Sequence, residues 1–240
     1  MTEPLDELRK VVAGCTACHL RSTCKQTVFD LGPADAPLMV VGDAPGKEDD
    51  KQGWSFIGKE GQFLDQLLVA ARIPTERVYY TSVLKCFPPK GRFPKVSGKS
   101  ADEPALCRGY LTQQIKQIKP KAIIVAGGHA LQYVLTWGTT EQVEPVHPWI
   151  NKQFRRRDLY GDSRLLVTYH PSYLLRNQIE EDQEAWISAA GELWVYVEHK
   201  LDGTAPPPTK FKDIRPAPKV ARQGRNLFAD ADQEERRKVL

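Results

Sequence analysis

The sequence predicts an α/β fold, a three-layer α/β/α sandwich built on a mainly parallel, four-stranded central sheet. Three observations support this prediction. The strand-like segments are short and apolar nearly throughout, which is typical of strands buried on both faces of a parallel sheet. The intervals between them are long enough for crossover helices. Those intervals also carry apolar residues at helical spacing, as expected for helices that cover the sheet.

Four segments have the strand pattern, and three intervals have the helical one. The predicted strands cover residues 38–42, 78–84, 122–126 and 165–169. The predicted helices cover residues 61–71, 105–118 and 129–135. The third helix directly follows a glycine pair, Gly127-Gly128, and the second ends before Pro120, a residue that cannot continue a helix.

Length and composition predict one main domain with a small appendage. The 240 residues are 41% hydrophobic and 27% charged, and the net charge of +4 does not by itself indicate a nucleic-acid partner. We expect one main domain over residues 1–200 and a mobile Pro-rich and basic tail over residues 201–240, either a solvated linker or an accessory arm for nucleic acid or a partner. Without a long apolar run or a leader-like N-terminus, we expect a cytoplasmic protein with no membrane contact.

The loops that follow the predicted strands carry the chemistry. Ligands of open parallel sheets bind outside the carboxyl ends of the strands. The four loops at that edge begin with Asp43-Ala-Pro-Gly46, Lys85-Cys86, Gly127-Gly128 and His170-Pro-Ser172. We therefore expect these loops to form one site.

Five cysteines in a chain without a secretory signal indicate metal ligation rather than disulfides. Cys15 and Cys18 form a CxxC pair, Cys24 follows closely, and Cys86 and Cys107 lie far downstream. Four thiolates can hold a zinc ion or an iron–sulfur cluster, and the spacing alone does not decide between them.

The ordered set of motifs resembles the iron–sulfur family of uracil-DNA glycosylases, family 4 of that superfamily. The resemblance covers about residues 8–200 in the order of the family's motifs. The motifs are Cys15-x-x-Cys18, Gly42-Asp-Ala-Pro-Gly46, Gly53-x-x-Phe56-x-Gly58, Thr81-x-x-x-Lys85-Cys86-x-Pro88-Pro89, Cys107-x-x-Tyr110-Leu111, Pro120-Lys121-x-Ile123 and Tyr169-His170-Pro171-Ser172-x-Leu174-Leu175-Arg176.

The resemblance implies a [4Fe–4S] cluster on Cys15, Cys18, Cys86 and Cys107. Cys24 has no place in that pattern and is interpreted as a packed thiol. We expect the cluster to be a structural staple that ties the N-terminal segment to the basic loop between Cys86 and Cys107.

The resemblance also implies a monofunctional DNA glycosylase that flips a pyrimidine out of DNA and hydrolyses its N-glycosidic bond, leaving an abasic site. It places His170 at the base, as a hydrogen-bond donor to the carbonyl that takes up negative charge. Asp43 would stabilise the cationic sugar or orient the attacking water. The residues expected to bind the base are Ala44, Gly46, Phe56 and Ser82.

Seven further residues are expected to contact DNA. Leu174 and Leu175 offer an apolar wedge for the vacated stack, although an ordinary helix start also supplies such leucines. The remaining five are polar or basic and suit the phosphate backbone: Lys85, Lys90, Arg92, Ser172 and Arg176.

Two residues and one loop segment depart from the family pattern. Asp43 stands where the family has Glu, and Ser82 stands where the family has an Asn that recognises the pyrimidine edge. Gly46 leaves the region beside the pyrimidine C5 open. These differences leave two possible target bases: uracil, or a modified pyrimidine such as the bulky hydroxymethylcytosine derivatives of phage DNA. Excision of uracil would indicate repair, and excision of a modified pyrimidine would indicate defence against phage DNA.

The segment 90–99 lengthens the loop between Cys86 and Cys107. A related branch carries a His here that becomes linked to the abasic sugar, and Pro94 occupies the aligned position. We therefore expect ordinary turnover, with the abasic product passed to downstream repair or cleavage enzymes, and a monomer that closes around one nucleotide.

The alternative from another functional class is a non-catalytic DNA-binding relative, which would need neither Asp43 nor His170. An electron carrier fits the sequence poorly.

Overall fold

The computed structural model describes residues 3–94, 103–136, 147–156, 160–206 and 212–213. Within these residues the strands form a single six-stranded sheet with the order β2-β1-β3-β5-β4-β6. The strands are β1 (Leu38–Gly42), β2 (Val78–Ser82), β3 (Ala122–Ala126), β4 (Lys152–Arg155), β5 (Arg164–Thr168) and β6 (Lys212–Asp213).

Eight α-helices are described alongside this sheet in the same residue ranges. They are α1 (Glu3–Ala13), α2 (Leu20–Thr23), α3 (Lys47–Gln52), α4 (Lys59–Ala70), α5 (Glu103–Ile118), α6 (Gly128–Thr136), α7 (Pro171–Asn177) and α8 (Glu180–Leu201). Three short 3-10 turns, at Thr75–Arg77, Pro89–Gly91 and His147–Trp149, join some of them.

The two faces of the sheet bury separate cores because side chains alternate along each strand. Met39 and Val41 of β1 pack on one face with α1, α5 and α6, whereas Leu38 and Val40 pack on the other with α4, α7 and α8. All five residues of β1 are buried. This double burial explains why the strand is apolar throughout.

The predicted three-layer fold and its four parallel strands are confirmed. Strands β1, β2, β3 and β5 pair in parallel in the order β2-β1-β3-β5. The predicted strand count of four was too low. β4 pairs antiparallel with β5, and the two-residue β6 pairs with β4. Both additions are too short to produce a readable periodicity.

Most of the predicted C-terminal tail lies outside the described residues. Helix α8 continues to Leu201, and Lys212 and Asp213 pair with Phe154 and Arg155 of β4. Nothing further is described after residue 213. Among the described helices, none has both the length and the apolarity needed to cross a membrane.

Candidate active site

The carboxyl ends of the parallel strands bring the four predicted loops to one edge of the sheet. Gly42 of β1 lies opposite Ser82 of β2, and Ala126 of β3 lies opposite Thr168 of β5. Each pair stands at the last residues of its strands. The four loops that follow Gly42, Ser82, Ala126 and Thr168 therefore open on the same rim, as the sequence predicted.

Asp43 is held at this rim by the first turn of α6. Its Oδ1 accepts the backbone N–H of Ala130 at 2.6 Å. The backbone N–H of His129 also donates to this carboxylate. Burial raises the pKa of Asp43 to about 7, although the two N–H donors favour the ionised form. The carboxylate is consequently poised to change charge close to neutral pH.

The close approach of Asp43 to α6 requires a glycine at position 127. A Cβ added to Gly127 would lie 2.8 Å from Asp43 Oδ1, and the residue has a φ of +108°. An L side chain would meet both a steric clash and an unfavourable backbone conformation there. The glycine pair noted in the sequence thus makes room for the carboxylate.

His170 caps the start of α7 and has a defined tautomer. Its Nδ1 accepts the backbone N–H of Ser172 at 3.2 Å and lies 2.8 Å from Ser172 Oγ. Burial, together with Arg176 and His129, lowers the pKa of His170 to about 4, against an opposing effect of Asp49. The ring is therefore neutral at pH 7. Because Nδ1 is an acceptor, the proton sits on Nε2, which is free to donate.

Phe56 forms a flat surface beside His170. The two ring centroids are 6.4 Å apart with planes 28° from parallel, and Tyr80 lies 6.0 Å from Phe56 on another side. Phe56 adopts a φ of 58°, which is uncommon for a bulky residue and is found where the surroundings fix the backbone. A Cβ on Gly42 would lie 2.6 Å from the tip of the Phe56 ring, so a side chain at the end of β1 would displace that ring.

Asp49 joins the two chain segments that carry the predicted base contacts. Its carboxylate accepts the backbone N–H of Gly46 at 2.9 Å and that of Ile57 at 3.0 Å. The side chain is buried in the first turn of α3. Asp49 therefore fixes the Gly46 loop relative to Phe56 and caps the start of α3.

The predicted base-binding residues lie around this surface with different orientations. Ser82 is buried, and its Oγ lies 3.5 Å from the position of a Cβ on Gly42, close to Phe56. At Gly46, an added Cβ would meet only the Asp49 carboxylate at 3.6 Å, so the fold leaves space for a side chain that the sequence does not use. Ala44 packs its methyl group toward the cysteines described below.

Lys85 is buried inside the protein, which contradicts the DNA contact predicted for this residue. Its side chain is 1% exposed, and its Nζ donates to Thr81 Oγ1, the Ser82 carbonyl and Gln114 Oε1, each at 2.7 Å. All three N–H donors are thus used inside the protein. Burial lowers the pKa of Lys85 to about 7. The residue supports the strand end that carries Ser82.

Leu174 is buried in the core, which contradicts the wedge role predicted for it. It is 1% exposed and belongs to the core between the sheet and α8. Consecutive helical residues point about 100° apart, so only one of the two leucines can face inward. Leu175 remains partly exposed and Arg176 is exposed. Lys90 and Arg92 are also exposed, and each remains a predicted phosphate contact.

Substituting the two leucines should therefore have different effects, one on stability and the other on excision. Leu174→Ala should lower the free energy of unfolding by about 2–5 kcal/mol, because it removes a fully buried side chain. Leu175→Ala should leave stability almost unchanged and weaken excision from duplex DNA more than from single strands. Chemical denaturation and parallel excision assays measure both effects. A larger stability loss for Leu175→Ala would reverse the assignment.

Four of the five cysteines pack together near the rim. Cys18, Cys24, Cys86 and Cys107 form one apolar group with Leu20 and Leu84. Cys15 is hydrogen-bonded to Tyr110, and the pKa of Tyr110 is raised by burial and by Cys15, Cys107 and Cys18. All five thiols are free of disulfides.

The spacing of these thiols and the burial of Cys107 bear on their capacity to bind a metal. No set of three or more His, Cys, Asp or Glu side chains within the described residues stands at the spacing of ligands to one metal ion. Cluster ligands each bind a different iron and stand further apart. Burial, then neighbouring Cys18 and Cys15, raise the pKa of Cys107 to about 11, while the Lys85 backbone N–H donates to its sulfur and opposes the shift. Such crowded thiolates need a compensating positive charge.

Two residues of the rim were missed from the sequence. His129 stands in the first turn of α6, and its ring stacks on Phe93 with centroids 4.1 Å apart and planes 7° from parallel. Phe93 comes from the loop that follows Cys86. The position of His129 could have identified it, because it directly follows Gly127-Gly128 at the end of the third strand. Nothing in the sequence around Phe93 indicates a role at the rim.

Comparison with known proteins agrees with this site. Residues 29–193 match the family model of the uracil DNA glycosylase superfamily. The chain is 34% identical over 180 residues to the Type-4 uracil-DNA glycosylase of Thermotoga maritima, covering 73% of this chain and 88% of the relative. It is 31% identical over 201 residues to the Type-4 uracil-DNA glycosylase of Archaeoglobus fulgidus, covering 80% and 94%.

The class defined by this fold and rim is that of the DNA glycosylases. The chain belongs to the uracil DNA glycosylase superfamily, since the family model spans most of its length and its relatives exceed 30% identity.

Proposed function

We propose that this protein is a monofunctional glycosylase that flips a pyrimidine out of DNA and hydrolyses its N-glycosidic bond. The observation that carries the proposal is the pairing of a neutral His170, which presents an Nε2–H donor, with the Asp43 carboxylate on the same rim. Its relatives named Type-4 uracil-DNA glycosylase support it.

The reaction follows from how these groups face the flipped nucleotide. The base stacks on Phe56, next to the His170 ring. As the glycosidic bond breaks, negative charge moves onto the base carbonyl, and the Nε2–H of His170 donates a hydrogen bond to it. Positive charge develops on the sugar at the same time. The ionised Asp43 stabilises that charge or orients the water that attacks it.

We further propose that Cys15, Cys18, Cys86 and Cys107 hold a [4Fe–4S] cluster, which when bound cross-links the N-terminal segment to the loop after β2. The N-terminal segment already approaches that loop, because Thr27 pairs with Cys86 and the Val28 N–H donates to the Lys85 carbonyl at 2.7 Å. Cys24 lies beside Cys86 and is interpreted as a packed thiol.

The base is uracil or a modified pyrimidine, and the pocket contacts at positions 82 and 46 decide between them. Ser82 offers one short hydroxyl to the base edge, and Gly46 leaves open space. The test uses matched oligonucleotides with uracil, hydroxymethylcytosine or glucosylated hydroxymethylcytosine, scoring alkali-sensitive abasic sites. Excision confined to uracil supports repair, and excision confined to a modified cytosine supports action on foreign DNA.

Ser82→Asn should increase the preference for uracil over a modified cytosine. An amide supplies a donor and an acceptor together, and such a bidentate contact contributes about 1–3 kcal/mol of discrimination. The measurement is the ratio of kcat/KM for the two oligonucleotides. Ser82→Ala is the control, since it removes the hydroxyl without adding an amide. An unchanged ratio in Ser82→Asn would show that position 82 does not select the base.

The second candidate is a non-catalytic DNA-binding relative. The departure at Ser82 favours it, because this position lacks the amide of the family pattern. DNA binding by Asp43→Ala and His170→Ala proteins, compared with their excision activity, separates the two functions. We also propose a monomer that hands an abasic product to downstream repair or cleavage enzymes.

A further inference from the structure

Phe93 contacts both the cysteine group and helix α6, to which the proposed reaction gives separate roles. It is partly buried against the cysteine group of Leu20, Cys24, Leu84, Cys86 and Cys107. The same side chain also packs against the main core on the α6 side of the sheet. One ring thus bridges the cysteines and the helix that holds the catalytic carboxylate.

On α6, Phe93 contacts two residues one turn apart. Its ring stacks face to face on His129 at 4.1 Å and lies 6.0 Å from Tyr133 at an angle of 40°. Residues four apart on a helix share one face, so Phe93 covers a continuous strip at the start of α6. Neither ring nitrogen of His129 has a hydrogen-bond partner within the described residues, so the stacking is what orients its ring.

This first turn is also the part of the protein that binds Asp43. The N–H groups of His129 and Ala130 both point at the carboxylate, and the Ala130 contact is short at 2.6 Å. A shift of the turn would move both donors together. Misplacing a reacting group by about 1 Å can lower a rate about 100-fold.

We propose that Phe93 is a positioning residue for the Asp43 carboxylate, acting through His129 and the first turn of α6. The inference rests on the proposed role of Asp43. Phe93 belongs to the segment that lengthens the loop between Cys86 and Cys107, so this segment contributes to catalysis as well as offering Lys90 and Arg92 to DNA. Assembly of the cysteine group then also fixes the geometry of the active site.

Phe93→Ala tests the proposal with the full chain purified in its iron-loaded form. We expect kcat to fall about 10- to 100-fold, with KM changed less than about twofold, because DNA contacts remain. Phe93→Tyr keeps the ring face and should restore most of the rate. Phe87→Ala is the matched control, since Phe87 packs on the same cysteine group without a described ring contact to α6. It should leave kcat unchanged.

The pH profile separates positioning from a general loss of packing. The pKa of Asp43 is set by burial and by the two N–H donors, and no charged side chain of the described chain contributes to it. Poorer alignment of those donors raises that pKa further, so the acid limb of kcat should move to higher pH in Phe93→Ala. If the acid limb of the kcat profile of Phe93→Ala lies at the wild-type pH, the proposal is overturned.

His129→Ala provides a second variant that cannot disturb iron binding directly, because it removes the stacking partner from the helix side. It should reproduce the loss of kcat seen in Phe93→Ala. The double variant should be no slower than the slower single variant, since both break one contact. Two results would overturn the proposal. One is a double variant whose loss of kcat equals the product of the two single losses; the other is a Phe93→Ala protein with the same kcat as Phe87→Ala.

Asp43→Asn distinguishes failure of this inference from failure of the proposed function. If Asp43→Asn retains full excision, the role of Asp43 is wrong and the inference falls with it. If Asp43→Asn is inactive while Phe93→Ala matches the wild type, only the positioning role is wrong.

Discussion

Replacing Asp43 with Asn is expected to reduce excision about 100- to 10,000-fold, the range typical of a positioned acid–base group. The amide keeps the size of the carboxylate but cannot carry negative charge toward the cationic sugar. Single-turnover excision of the best substrate measures the loss. A reduction of less than about tenfold would show that Asp43 does not act on the reacting sugar.

The wild-type pH profile should report the ionisation of the same residue. The pKa of Asp43 is raised to about 7, so the ionised form that the proposed reaction needs is lost as the pH falls through 7. Below that point kcat/KM should fall about tenfold per pH unit, and above it the profile should level off. In Asp43→Asn this acid limb should be absent. A limb that persists in the variant would belong to another group.

Thermal unfolding provides the control for Asp43→Asn. The folded pKa of Asp43 lies above its unfolded value of 3.8, so the protonated carboxyl stabilises the folded state and this stabilisation is lost as the pH rises through about 7. Above that pH the variant, which carries no charge there, should unfold at the wild-type temperature or higher. A lower unfolding temperature would mean that lost activity reflects lost structure.

The sheet and the rim were predictable because both depend on local patterns. β1 and β3 are buried on both faces, and this makes them apolar in every position. The carboxyl ends of parallel strands must share one edge, so Asp43 and His170 could be assigned to one site without knowing any distance. Four-residue β4 gave no such pattern, because it lies near the sheet edge with mixed burial.

The errors concern residues whose environment is created by distant parts of the chain. Lysines are rarely buried, so Lys85 was assigned to the surface. Its burial depends on Thr81 and Gln114, and Gln114 is supplied by a helix 29 residues away. Leu174 and Leu175 differ only in helical phase, which α7 sets when it packs against α4. Phe93 meets His129 only through the tertiary fold.

His170→Ala is expected to reduce excision about 100- to 1,000-fold, the usual effect of removing one preorganised donor to a developing anion. Because burial lowers the pKa of His170 to about 4, the proposed donor is neutral at pH 7, and no titration of His170 should appear near neutral pH. Ser172→Ala is the milder comparison. It removes the hydroxyl 2.8 Å from Nδ1 but keeps the backbone N–H that defines the tautomer.

The substrate can reveal where His170 acts. If its Nε2–H stabilises the departing base, the loss in His170→Ala should be smaller for a base that is a better leaving anion. Comparing uracil with 5-fluorouracil, whose anion is more stable, tests this point in the same oligonucleotide. An equal loss for both bases would place His170 away from the leaving group, and the hydrogen bond to the base carbonyl would have to be abandoned. A graded loss would locate the donor on the base, because only a contact with that charge responds to the acidity of the leaving group.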